Sequence, residues 1–309
     1  MRAIAEAPAK AIITGEHFVV HGAWALAAAL QRKVRVVVEP TSEFEVISNL
    51  FGKSASPELL PASRVVKEMA REFSIKPTVR VTVSSDVPGG AGLGSSAATM
   101  VAVASAFSKL NSLGLTVPEI VDCAMVGERS IHGNPSGIDP AICAHGGVIL
   151  FRTAEAPKKV SFGGTRSLIL SYSGLKRSTK GQIGHVSKMK ERYPGMFEGL
   201  AAGMSELSLR ASEMLRADDM KGLGTLMTVN HATLMSLGVS NDALDEMVDL
   251  LLSMGSYGAK LTGAGGGGSV LAVAPEGKEK SIVSGLSARG FETFRVKIPV
   301  EGVKSWLER

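Results

Sequence analysis

Cysteine is almost missing from this sequence: only Cys123 and Cys143 occur in 309 residues. Neither belongs to a CxxC pair or lies near a histidine at ligand spacing. This excludes a disulfide framework and a Cys/His zinc site, and it fits a reducing compartment. Long apolar runs are lacking too. The opening MRAIAEAPAK has no apolar core of the kind a signal peptide carries. GAWALAAAL falls short of the roughly 18 apolar residues that a spanning helix needs. A soluble, cytoplasmic protein with no membrane partner is therefore expected. Basic residues are scattered, with no arm and no run of five, and aromatics make up only 5%. The net charge of +5 suits a small anionic substrate. It does not suggest nucleic acid, which calls for clustered basic stripes interleaved with aromatic side chains. GxxxxGK[S/T] occurs nowhere, so there is no Walker A loop.

What is plentiful is glycine, with 35 residues, and small side chains that favour closely packed elements and tight loops. The length suits two domains or one large α/β domain. KAIITGEHFVV reads as strand, turn, strand, which puts His17 in an apolar strand. KVRVVVEP, EFEVIS and TVRVTVSSD alternate as half-buried strands, and ASRVVKEMAREF has helical spacing with Val65, Val66 and Met69 on one face. GSSAATMVAVASAFSKLN predicts a helix capped by Ser95 or Ser96. TVPEIVDCAMVGERSIH predicts another, with Thr116 as cap and Pro118 in its first turn. NPSGIDPAICAHGG reads as a turn-rich loop leading to the strand GGVILF, and APKKVSFGG as a linker. TRSLILSYSG then starts a strand and STKGQIGHVSKMKERY a helix, with helices near 196–216, 218–235 and 241–255. GSVLAVAP is a strand, GKEKSIVSGLSARG a helix and FETFRVKIP a closing strand. The second half is thus an α+β sandwich, and the boundary falls near 155–165, dividing the chain into residues 1–160 and 161–309.

The stretch PGGAGLGSSAAT (88–99) puts four glycines and two serines at the mouth of an apolar helix. The first turn of a helix has unpaired N–H groups and a partial positive charge. Glycines let backbone amides close in on an anion, and two hydroxyls add donors or oxygen ligands for magnesium. The stretch therefore reads as a phosphate-holding loop rather than a hinge. GAGGGG (263–268) formally satisfies GxGxxG, but a strand follows it instead of a helix, which argues against a dinucleotide site.

Three segments in order, APAKAIITGEHFVVHG (7–22), PGGAGLGSSAA (88–98) and KLTGAGGGGSVLAV (260–273), resemble the motifs of the galactokinase, homoserine kinase, mevalonate kinase and phosphomevalonate kinase superfamily. GERSIHGNPSGID (127–139) and LGVSNDALDEMV (237–248) are similar to the mevalonate kinase branch. The resemblance spans nearly the whole chain. It implies an α+β, two-domain small-molecule kinase fold, with an N-terminal ribosomal-S5-like α/β domain that binds ATP and a C-terminal ferredoxin-like α+β domain. It implies ATP and Mg²⁺ as cofactors, mevalonate as acceptor on the route to isoprenoids, and no nucleic-acid partner, and it is compatible with a homodimer.

The same resemblance implies the roles of individual residues. Asp139 is the base, and Lys10 beside it favours the charged carboxylate and the developing alkoxide. Pro88, Gly89, Gly90, Ala91, Gly92, Leu93, Gly94, Ser95, Ser96, Ala97 and Ala98 surround the nucleotide phosphates. Ser96 and Glu128 hold Mg²⁺. Glu16, His17, Arg177, Thr179, Gly263 and Ala264 face the acceptor, with Arg177 on its carboxylate. His21, His132, His145, His185 and His231 show no metal-ligand spacing and read as structural. Two positions depart from the family pattern. Ala9 replaces the usual glycine before the lysine and would be strained in a turn at positive φ, and Ser269 replaces a cysteine that many relatives carry. Spacing alone does not bring residue 96 to residue 128, and acceptors such as homoserine, a sugar or another mevalonate derivative stay open at this stage. So does a non-catalytic ATP sensor, although Asp139, Lys10, Ser96 and Glu128 are all present.

Overall fold

The computed structural model describes residues 1–48, 52–53, 59–87, 91–163, 167–175 and 179–309, with the backbone alone at 52, 53, 179 and 180. Two long antiparallel strands, β1 (Arg2–Thr14) and β2 (Ala25–Pro40), form the spine. They are joined by a turn and a short 3-10 helix, Val19–His21, so His17 lies in the connection and not in a strand. β3 (Glu45–Ser48), β4 (Gly52–Lys53), α1 (Leu60–Glu72) and β5 (Val79–Ser85) follow. Next come α2 (Ser95–Leu110), α3 (Val117–His132), α4 (Ile138–His145), β6 (Val148–Phe151) and β7 (Lys158–Lys159). Among the described residues the first sheet runs β12-β1-β2-β5-β3-β4, where β12 is Lys304–Glu308, and β6 and β7 extend it beside the N-terminal end of β2.

The alternation of β1 explains its two faces. Ala3, Ala5, Ala7, Ala9 and Ala11 are fully buried in the core that includes α2. Methyl-sized side chains let the helix come close to the sheet, and α2 answers with alanines and valines along nearly its whole length. On the opposite face Ile12, Ala27 and Ala29 meet Ile138, Ala141 and Ile142 of α4. Thr116 caps α3 as expected, and a capping box forms there too: the Thr116 backbone N–H donates to Glu119 Oε2 at 2.7 Å.

The second sheet is antiparallel throughout, in the order β11-β8-β10-β9. Its strands are β8 (Ser167–Tyr172), β9 (Gly258–Thr262), β10 (Ser269–Val273) and β11 (Glu292–Lys297). Helices α5 (Thr179–Arg192), α6 (Pro194–Arg216), α7 (Met220–Ser236), α8 (Asp242–Ser253) and α9 (Glu279–Ser287) complete this half. The α+β reading holds, with several corrections. Residues 138–145 are a helix, not a loop, because Pro140 falls in the first turn, where its missing N–H costs nothing, and Gly137 at φ +90° starts the turn. Residues 158–159 of the expected linker pair with β6. Lys10 lies inside β1 rather than in a turn, and Ala9 is not at positive φ, so the feared strain is absent. The register slips between Pro8 and Ala9 instead. β9 and β12 were not anticipated, and β12 carries the end of the chain back to β1. No helix among the described residues is long and apolar enough to cross a membrane.

β9 and α7 meet backbone to backbone: a Cβ on Gly258 would lie 1.8 Å from the Gly224 carbonyl oxygen. Gly258→Ala is expected to destabilise the protein by about 1–3 kcal/mol through overpacking. Denaturant unfolding measures this, and an unchanged midpoint would mean that α7 and β9 separate freely.

Candidate active site

The site begins with a lysine threaded under a glycine. The Lys10 backbone N–H donates to Leu93 O at 2.9 Å, which ties β1 to the loop before α2. Gly94 then caps α2 in the left-handed region, at φ +71°. A Cβ there would sit 2.6 Å from Lys10 Cγ, so glycine serves both the turn and the passage of the lysine side chain. The Lys10 ammonium is only 2% exposed and ends 3.0 Å from Asp139 Oδ2. Asp139 stands in the first turn of α4, where a negative charge is favoured.

Ser95 and Ser96 do not cap α2 with their side chains, because Gly94 holds the capping position. The Ser96 hydroxyl instead donates to Glu128 Oε1 at 2.7 Å, which joins the start of α2 to α3. Burial pushes the Glu128 carboxyl up to about 7, and the nearby charge of Asp139 adds to this, while Ser96 and Lys10 pull the other way. A buried carboxylate held against its own charge, beside a hydroxyl, fits a hard divalent cation, whose charge would relieve that burden. Among the described residues no group of three or more His, Cys, Asp or Glu side chains could hold a metal. Two protein oxygens are what an ion sharing its shell with phosphates and water requires.

The other end of the site is built from the β1–β2 connection and the glycine segment after β9. His17 adopts φ +65°, a costly conformation for a side-chain-bearing residue, and its Nε2 lies 2.9 Å from Ala264 O. Both Glu16 carboxylate oxygens are engaged: Oε1 with Lys260 Nζ, and Oε2 with Asn230 Nδ2 at 3.3 Å. The sequence reading passed over Lys260 and Asn230. A lysine in the middle of the apolar strand GAKLT was the available signal, and Asn230 offered none.

A cavity of about 360 Å³ connects these parts. Lys10, Glu16, His17, Gly92, Leu93, Gly94, Ser95, Ser96, Ala97, Glu128, Asp139, Gly263 and Ala264 all line it. Ala91 and Ala98 are buried behind it, and the Ala91 carbonyl accepts a hydrogen bond from Ser269 Oγ at 2.8 Å. Ser269 thus links the two glycine loops. Pro88, Gly89, Gly90 and Arg177 lie outside the described residues, as does the side chain of Thr179, whose backbone opens α5. His21 and His132, read as structural from sequence, both line the cavity.

With this geometry in hand, comparison with known proteins gives a consistent picture. Residues 61–147 match the GHMP kinases N terminal domain, and residues 211–292 the GHMP kinases C terminal domain. A mevalonate kinase of Aeropyrum pernix is 33% identical over 97% of both chains, and one of Thermococcus gammatolerans is 35% identical over 98% of both. The crystal structure of L. major mevalonate kinase in complex with R-mevalonate superposes with a TM-score of 0.82 at 28% identity. That match covers 95% of this chain and 94% of the other. The chain belongs to the GHMP kinases and, within them, to the mevalonate kinase family, with their two-domain α+β fold.

The displaced Glu128 has a consequence for stability. A carboxyl whose proton is held more tightly in the folded state destabilises that state as pH rises from about 4.5 to about 7, and the full cost remains above that window. In metal-free buffer, Glu128→Gln should raise stability at pH 8 by on the order of 2–3 kcal/mol, with little change near pH 4.5. Urea unfolding at the two pH values checks this, and an equal effect at both would refute it.

Proposed function

We propose that this cavity transfers the γ-phosphoryl group of ATP to the primary hydroxyl of (R)-mevalonate, giving ADP and 5-phosphomevalonate. The observation that carries the reading is the Lys10–Asp139 pair, 3.0 Å apart, in a cavity that opens on the N-terminal turn of α2. Asp139 takes the proton of the acceptor hydroxyl, that oxygen attacks the γ-phosphorus, and the bond from phosphorus to the β,γ-bridging oxygen breaks. The Lys10 ammonium favours the negative charge that builds on the attacking oxygen. The amides of residues 91–98, with Pro88, Gly89 and Gly90 before them, hold the phosphates, and Ser96 and Glu128 hold Mg²⁺. When bound, Mg²⁺ draws charge from the β- and γ-phosphate oxygens. Little covalent help is needed, so positioning and electrostatics supply most of the rate.

At the acceptor end, the Glu16–His17 segment and Gly263–Ala264 form the wall, with Arg177 for the carboxylate and Thr179 nearby. The same proposal assigns residues 1–160 to the nucleotide-binding domain and 161–309 to its partner domain in the chain, except that β12 rejoins the sheet of the first, and it places the protein in the cytoplasm.

A panel of acceptors with Mg-ATP tests the substrate: mevalonate should be phosphorylated, and turnover of homoserine or galactose without mevalonate would overturn the assignment. Asp139→Asn should still bind Mg-ATP yet lose at least about 10²-fold in kcat, the scale of a positioned proton acceptor. Wild-type turnover in that variant would remove Asp139 from the role. Glu128→Gln should shift the magnesium titration of activity to higher concentration, and an unaltered titration would count against metal binding there.

A further inference from the structure

Lys260 is fully buried in the middle of β9, one of the largest side chains in the molecule without solvent. Its ammonium spends its donors on the Glu16 carboxylate and on the carbonyls of Ile12, at 3.4 Å, and Leu261. A buried ion pair is a poor way to gain stability, since apolar residues of the same volume do as well or better. What this pair does is geometric. Ile12 and Glu16 belong to the first half of the chain, Lys260 to the second, and the pair sits where β1 meets β9. Thr262 adds two bonds at the same seam: its Oγ1 donates to Ile12 O at 3.0 Å and accepts from Ile12 N at 3.1 Å.

The tie continues into the cavity wall. Gly15, at φ +95°, has no space for a side chain, as a Cβ would lie 2.7 Å from Ala25 Cα. Its N–H donates to Asn230 Oδ1 at 3.0 Å. Glu16 follows, held by Lys260 and Asn230, and then the left-handed His17, whose ring reaches Ala264 O three residues beyond the end of the Lys260–Leu261 step. Three consecutive residues are therefore anchored one by one to the second half of the chain. The middle anchor is a charge pair that cannot slide without leaving a buried charge alone.

We propose that Lys260 is a positioning residue for the acceptor end of the cavity, fixing the Gly15–His17 wall through Glu16 and leaving the nucleotide end untouched. This rests on the assignment of that wall to the acceptor. The route is specific because Lys260 does not line the cavity, whereas Glu16 and His17 do.

The test uses Lys260→Met and the double variant Lys260→Met/Glu16→Gln, which removes both charges at nearly constant volume. The single variant strands the Glu16 charge and is expected to be less stable than wild type, while the double variant recovers thermal stability. In both, the KM for mevalonate should rise about tenfold or more, with the KM for ATP within about twofold of wild type. Hydrogen exchange of the free protein should become at least about tenfold faster in peptides covering residues 12–22, and stay unchanged in α2. A merely structural tie predicts the opposite for the double variant: acceptor KM and exchange both return to wild type as stability returns, which would overturn the proposal. A raised acceptor KM with unchanged exchange would assign the loss to direct contact of Glu16 with substrate and overturn it equally. If wild type does not phosphorylate mevalonate, the functional reading fails by itself, and exchange at 12–22 still decides whether Lys260 holds the wall.

Discussion

An ammonium group with almost no solvent, facing a single carboxylate, governs how this molecule is built. The Lys10 side chain ends 3.0 Å from Asp139, and it reaches Asp139 only because Gly94 lacks a side chain above it. The backbone bond from Lys10 to Leu93 then sets the loop's height over the strand. The loop's height sets where the first turn of α2 points, and the run of alanines in β1 lets α2 lie close enough for all of this to meet. Altering any one of these parts moves the others.

The charges within the cavity form a second layer of constraint. Asp139 and Glu128 repel one another, and Lys10 compensates only in part, so the pair of carboxylates carries an excess of negative charge in a partly dry space. Ser96 softens this with one hydrogen bond. Such a site is electrostatically incomplete, which is the expected state of a protein that receives part of its positive charge together with its substrate. At the far end the logic is reversed: the Glu16 carboxylate is met by Lys260 and Asn230, whose remaining bonds go to the backbone of Ile12, Gly15 and Leu261.

Much of this was legible in the chain. Alternation revealed β3 and β5, helical spacing revealed α1, and Thr116 with Pro118 marked the start of α3, because those signals are local. The glycine loop before α2 read as an anion site for a local reason as well. The convergence of Ser96 with Glu128, and of Lys10 with Asp139, was not local, and it was reached only through resemblance. Other features escaped. The α4 helix hid among turn-forming residues, whose proline happened to fall where a helix tolerates it. β9 is buried along its whole length and β12 nowhere, so neither shows the alternation of a half-buried strand. Ser95 or Ser96 read as the cap of α2, a position that Gly94 takes. Lys260 went unremarked: its place inside the apolar GAKLT was a signal, but the groups that meet its charge, Glu16 above all, lie far away in the sequence.

The return of β12 to the edge of β1 brings Arg2 and Glu308 together across 306 positions. During synthesis, therefore, the N-terminal part of the strand that carries Lys10 has one open edge until residues 304–308 have been made. Such late closure is entropically slow and exposes a strand edge to unrelated chains. The nascent protein thus passes through a period in which the strand that carries Lys10 is open to mispairing, and the full sheet around the phosphotransfer centre waits for residues 304–308.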